Sequence, residues 1–128
     1  MIRPRIDHVA LNVRDLEESI QFYEDFFGLQ IIEKWDDPKQ AFMAGGDVVI
    51  GLLENSTYDF EAHTLSHLAF TCERTDFKRV VQQVRGRGLK IVSGPKPQRA
   101  GETILFRDPS GNVLEVCYPS ILTNEGFH

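Results

Sequence analysis

The chain repeats itself once, and this constrains its architecture more than any single motif, because the same local signals must build the same unit twice. Ile6-Asp7-His8-Val9-Ala10-Leu11-Asn12-Val13 and Leu65-Ser66-His67-Leu68-Ala69-Phe70-Thr71-Cys72 both read as strands, each with a histidine at its third place. After the first strand, Asp15 can cap a helix and Glu18 completes a capping box. Leu16, Ile20, Tyr23, Phe26 and Phe27 then fall at helical spacing, and Gly28 supplies a left-handed stop. After the second strand, Thr75 is the expected cap, followed by Phe77, Val80, Val81 and Val84 and a stop near Gly86–Gly88. Short strands follow at 28–32 and 88–92. His8 to Gly28 is 20 residues and His67 to Gly88 is 21.

Each half closes with a hairpin. The first pairs 40–44 with 48–53 around Gly45-Gly46-Asp47, and the second pairs 103–106 with 113–118 around Asp108-Pro109-Ser110-Gly111-Asn112. Each module is therefore βαβββ, and the fold class is α+β. Module one spans about 4–56, a linker 57–64, module two 65–120 and a tail 121–128. One small sheet with one helix leaves an apolar face open, so the faces of the two modules must be covered, within one chain or between two. Gly94–Gly101, rich in Pro and Gly, reads as a loop, either an ordinary surface connection or a mobile one that offers Lys96 and Arg99 to an anionic substrate.

Side chains alternate along a strand, so His8 shares a face with Ala10 and Asn12, His67 with Ala69 and Thr71, and Glu115 with Val113 and Cys117. Two imidazoles at equivalent repeat positions and a carboxylate on the last strand form a donor set for a divalent transition metal with open coordination positions. Glu115, between Leu114 and Val116, needs a partner, since an unpaired charge in an apolar strand costs several kcal/mol. Cys117 is expected on the same side as Glu115, near the same metal, either as a small buried apolar residue or as part of a substrate-pocket wall. Arg107 is either a further contact for an anionic group or a solvated surface charge. His63 stands i, i+4 from His67 but is assigned to the linker, because His67 reads as strand.

Composition excludes some partners. Nineteen acids against 14 Lys plus Arg leave a net charge of −5, the wrong sign for gripping nucleic acid or an anionic membrane. The longest apolar run, near 48–53, is far short of the roughly 20 residues of a membrane helix. No apolar segment of a secretory signal follows Met1–Arg5, and two cysteines make no disulfide framework, so a cytoplasmic location is expected.

Asp7-His8-Val9-Ala10-Leu11, Phe22-Tyr23 with Phe27-Gly28-Leu29, Ser66-His67-Leu68-Ala69-Phe70, and the run from Phe106 through Asp108-Pro109-Ser110-Gly111-Asn112 to Glu115 resemble the vicinal oxygen chelate superfamily. That superfamily includes glyoxalase I, fosfomycin-resistance thiol transferases, extradiol dioxygenases and bleomycin-resistance proteins. The resemblance implies paired βαβββ modules forming an incomplete eight-stranded barrel, completed across a homodimer in short members. It also implies His8, His67 and Glu115 as ligands of one divalent metal per site (Fe, Mn, Ni, Co or Zn), with no catalytic residue beyond them.

The departures narrow the chemistry. Glyoxalase I-like members place a fourth ligand, also a base, on the last strand of the first module. The matching place here is Ile50 or Gly51, neither able to bind metal, and Glu54 just beyond is either a substitute or a polar strand end. The tyrosine of fosfomycin-resistance transferases and extradiol dioxygenases, ten residues before the glutamate, is Leu105, and a threonine two after the first histidine is Ala10. The expected function is a metal-dependent, glyoxalase-like enzyme using Lewis-acid catalysis on a small oxygen-chelating substrate. Its type would be lyase/isomerase or thiol transferase, the latter with a thiol co-substrate. The alternatives are a metal-free binding protein of the bleomycin-resistance type and an extradiol-type dioxygenase.

Overall fold

A computed structural model describes residues 1–60 and 66–123. It divides into two compact units, Met1–Asp59 and Phe60–His128, and both have the expected α+β composition. The first unit runs β1 (Val9–Val13), α1 (Leu16–Phe27), β2 (Gln30–Asp36), β3 (Lys39–Gly45) and β4 (Val48–Glu54). The second repeats that order with β5 (Leu68–Thr71), α2 (Arg74–Gly86), β6 (Ile91–Gln98), β7 (Gly101–Arg107) and β8 (Val113–Tyr118). The sheets have corresponding orders, β1-β4-β3-β2 and β5-β8-β7-β6, each with one parallel pair beside antiparallel ones. Residues 61–65, which include His63 and much of the expected linker, lie outside the described residues, as do 124–128. A 3-10 turn, Ile121–Thr123, opens the expected tail. Among the described residues no helix is long and apolar enough to cross a membrane.

Local signals set α1. Asp15, in extended conformation, accepts the Glu18 backbone N–H at 3.0 Å, and Gly28 stops the helix at φ 69°. Leu16, Ile20 and Tyr23 are buried as their spacing predicts, with Phe22 beside them, and Phe26 and Phe27 are half-buried. The helix packs on β3 and β4, whose Ala41, Met43, Ile50 and Leu52 are buried.

The second unit departs from expectation in two places. α2 begins at Arg74 with Glu73 at its cap position and no side-chain cap bond, so Thr75 lies inside the first turn instead of capping it. Bonding of this strand to β8 ends with the Cys72 N–H on the Cys117 carbonyl, and the helix opens two residues later, with the Arg74 guanidinium 5.1 Å from the Tyr118 ring centroid. Phe77, Val81 and Val84 then face β7 and β8, where Ile104, Phe106, Leu114 and Val116 form the core. The Pro/Gly-rich stretch is mostly strand, since β6 continues to Gln98 with two irregularities against β7. An edge strand tolerates proline, because its outward N–H groups need no partner in the sheet. Gly94, at φ 88°, marks the bulge, and a Cβ there would lie 2.6 Å from the Thr103 carbonyl oxygen.

Candidate metal centre

Strand register places the site residues of each unit. In the second, Ala69 pairs with Glu115 across β5 and β8, and Leu105 pairs with Glu115 across β7 and β8. Directly paired residues project to the same side of a sheet, and alternation carries that side to residues two away. Glu115, Cys117, Ala69, Thr71, Thr103 and Leu105 thus share one face, opposite the core of Leu114, Val116, Ile104 and Phe106. His67, two residues before Ala69, brings Nε2 to 3.0 Å from Glu115 Oε1.

Glu115 is 7% exposed, and the cost of burying its carboxylate is offset by two partners. His67 faces one oxygen, and the fully buried Thr103 hydroxyl donates to the other, Oε2, at 2.5 Å. The fit to a divalent ion is good. Adjacent donors around such an ion, each about 2.1 Å from it, stand about 3 Å apart, as the His67 and Glu115 donors do.

In the first unit, His8 stands at the corresponding repeat position, just ahead of β1. His8 Nδ1 lies 2.7 Å from Asp7 Oδ2, turning Nε2 away from that carboxylate, the arrangement that commonly orients a ligating histidine. The structure brings His67 and Glu115 together, while His8 belongs to the other unit. Among the described residues no ready-made cluster of three or more His, Cys, Asp or Glu is present.

Register also decides between Ile50 and Gly51. Ala10 pairs with Gly51 as Ala69 pairs with Glu115, so Gly51 is the first unit's counterpart of the carboxylate. A Cβ on Gly51 would meet Phe42 Cε1 at 3.0 Å and the Ala10 Cβ at 3.5 Å. The Phe42 ring is itself held edge-on between His8, 4.8 Å between centroids, and Trp35, 5.8 Å. Gly51→Glu is expected to cost about 1–3 kcal/mol by overpacking without adding a ligand. Urea unfolding and Mn2+ titration check this; a variant as stable as wild type that binds metal more tightly would show that the place is open. Glu54 takes the role of a polar strand end, with Oε2 accepting the Leu16 N–H at 2.9 Å and so satisfying one orphan donor of α1.

The candidate substrate contacts separate. Lys96 pairs with Thr103 in register and is exposed on the Glu115 face. Arg99, in the β6–β7 turn at φ 50°, points a guanidinium nitrogen at Cys117 Sγ, 3.7 Å away. Burial, and next the Glu115 charge, push the Cys117 thiol above its ordinary pKa, with Arg99 opposing, so it stays a neutral thiol beside the Phe70 carbonyl. Arg107, the further candidate for an anionic group, is tied to backbone by one end of its guanidinium. Its Nη1 donates to the Gly111 carbonyl at 2.6 Å and the Phe60 carbonyl at 3.3 Å, bracing the β7–β8 turn.

Sequence reasoning missed Thr103. The signal was present, because the hairpin around Asp108–Asn112 puts residue 105 opposite Glu115 and residue 103 on its diagonal.

A family model described as the Glyoxalase/Bleomycin resistance protein/Dioxygenase superfamily matches residues 5–116. A probable lactoylglutathione lyase of Synechocystis is 31% identical over 126 residues, covering 88% of this chain and 94% of its own. Metallothiol transferase FosB of Staphylococcus epidermidis is 27% identical over 114 residues, covering 87% and 79%. The chain spans only 43% of a putative lactoylglutathione lyase of Brassica oleracea, to which it is 27% identical over 124 residues. Among solved structures, a fosfomycin resistance protein FosX mutant from Listeria monocytogenes, complexed with Mn(II) and 1S,2S-dihydroxypropylphosphonic acid, matches with a TM-score of 0.84. That match covers 98% of this chain and 99% of that one at 18% identity, a likeness of fold.

Proposed function

This chain belongs to the Glyoxalase/Bleomycin resistance protein/Dioxygenase superfamily, and from that premise we propose that it is a divalent-metal-dependent enzyme of thiol-transferase type. The observation that carries the reading is the 3.0 Å approach of His67 Nε2 to the buried Glu115 carboxylate. His8, at the equivalent repeat position, is the third proposed ligand, contributed within one chain or by a second copy in a homodimer. A bound divalent ion supplies Lewis-acid stabilisation of negative charge developing on a substrate oxygen, worth several kcal/mol.

The chain's own residues do the rest. Lys96 and Arg99 hold an anionic group of a small oxygen-bearing substrate. Arg99 suits this because its contact with Cys117 is to a neutral thiol, a weak acceptor that does not neutralise the guanidinium charge. Cys117 lines the pocket beneath it. Gly51 stands where a first-module base would be needed, which disfavours proton abstraction from that side and favours addition of a thiol. The printed names of relatives, metallothiol transferase among them, support a thiol co-substrate, and the Mn(II) complex of a structural neighbour supports manganese as the first metal to try.

Metal analysis of purified protein should find about one transition ion per chain, lost in His67→Ala. The Mn2+-loaded protein should then consume a thiol in the presence of fosfomycin or a comparable small anionic electrophile. Protein that stays empty after reconstitution would overturn this reading in favour of a metal-free binding protein.

A further inference from the structure

We propose that Thr103 is the positioning residue of the Glu115 carboxylate, selecting which of its oxygens is presented for coordination; this rests on the metal-site reading above. A glutamate has three rotatable side-chain bonds, and its terminal torsion is broad, so burial alone leaves the carboxylate free to rotate. Threonine is stiff at χ1, and Thr103 is fully buried on β7 between the backbone pairs it makes with Lys96 and Cys117. Its hydroxyl therefore has a fixed origin. Two acceptors lie within reach, Glu115 Oε2 at 2.5 Å and the Val116 carbonyl at 3.5 Å, and the proton goes to the nearer, charged one. With Oε2 held by Thr103, Oε1 is the oxygen left facing His67 Nε2. Leu105, directly opposite Glu115, offers only methyl groups, so among the described residues on β7 the hydroxyl of Thr103 is the group that performs this task.

The readout is the affinity of the whole protein for Mn2+ alone, measured from the free-ion paramagnetic resonance signal, with the thermal midpoint of the metal-free protein as a control. Thr103→Val keeps the shape and removes the hydroxyl; Thr103→Ser keeps the hydroxyl and removes the methyl. Thr103→Val should bind Mn2+ about 10–100-fold more weakly, the range for losing a hydrogen-bond partner of a metal ligand. Thr103→Ser should stay within about threefold of wild type on the same scale. If Thr103→Val does not fold, Thr103→Ala set against Thr103→Ser makes the same comparison at nearly equal volume. Wild-type affinity in the hydroxyl-free variant overturns the proposal, and so does equal weakening of the serine variant, which would assign the effect to packing. Failure of the metal-site reading itself looks different: wild-type protein then binds no Mn2+ before any Thr103 variant is compared.

Discussion

Glu115→Gln is expected to weaken Mn2+ binding by at least about a hundredfold, since losing even a partner of a ligand costs 10–100-fold and this change removes the ligand's charge. Activity should fall with occupancy, by two to three orders of magnitude, about what removing one stabiliser of developing charge costs. The substitution is nearly isosteric at a 7% exposed position, so the sheet should remain intact and the loss should be specific to the metal. The local geometry makes the amide a poor substitute. One carboxylate oxygen accepts from the Thr103 hydroxyl and the other faces His67 Nε2, so the amide nitrogen places its N–H groups against one of them. Titration of metal-stripped Glu115→Gln with Mn2+, beside circular dichroism and thiol-consumption assays, measures all three effects. Unchanged affinity would remove Glu115 from the ligand set.

Asp108→Ala is expected to lower stability by about 3 kcal/mol, because three buried or half-buried backbone donors lose a charged acceptor together. Asp108 is 4% exposed, and its Oδ1 accepts from the N–H groups of Ser110, Gly111 and Asn112 at 3.0, 2.9 and 2.9 Å. Its Oδ2 accepts from Asn112 Nδ2 at 3.1 Å. The thermal midpoint should drop by about 10 °C for a chain of this length. Asp108→Asn should lose less, since it keeps an acceptor for the backbone donors while setting its amide against that of Asn112. Chemical denaturation reads both variants, and a loss in Asp108→Ala no larger than the about 0.5 kcal/mol of a surface change would show that the turn holds itself. The site depends on this turn, because its register sets Leu105 against Glu115 and Thr103 on the diagonal. The Asp-Pro-Ser-Gly-Asn run is thus the local device that aims the last strand.

Residues whose signals are local were legible in advance. Asp15 and Gly28 bound α1 because a cap depends on atoms three or four residues away, and the structure bears out both. The two histidines and Glu115 stood out because the repeat and strand alternation can be read without knowing which strands meet. Thr75 failed as a cap because α2 opens two residues after the last bond of the preceding strand to β8. The Pro-rich stretch failed as a loop because an edge strand accepts what a central strand refuses.

The amino-acid sequence by itself determined the doubled βαβββ plan, the imidazole at the same place in each half, and the carboxylate in an apolar strand. Tertiary structure alone decided that Gly51, filled over by Phe42, is the first module's counterpart of Glu115, that Arg107 braces a turn, and that Thr103 holds the carboxylate. The physical reason is that periodicity fixes which side of a strand a residue faces, whereas the residue it meets depends on pairing register. Register is set by hydrogen bonds between segments far apart in the chain, and for each unit the folded sheet is what specifies it.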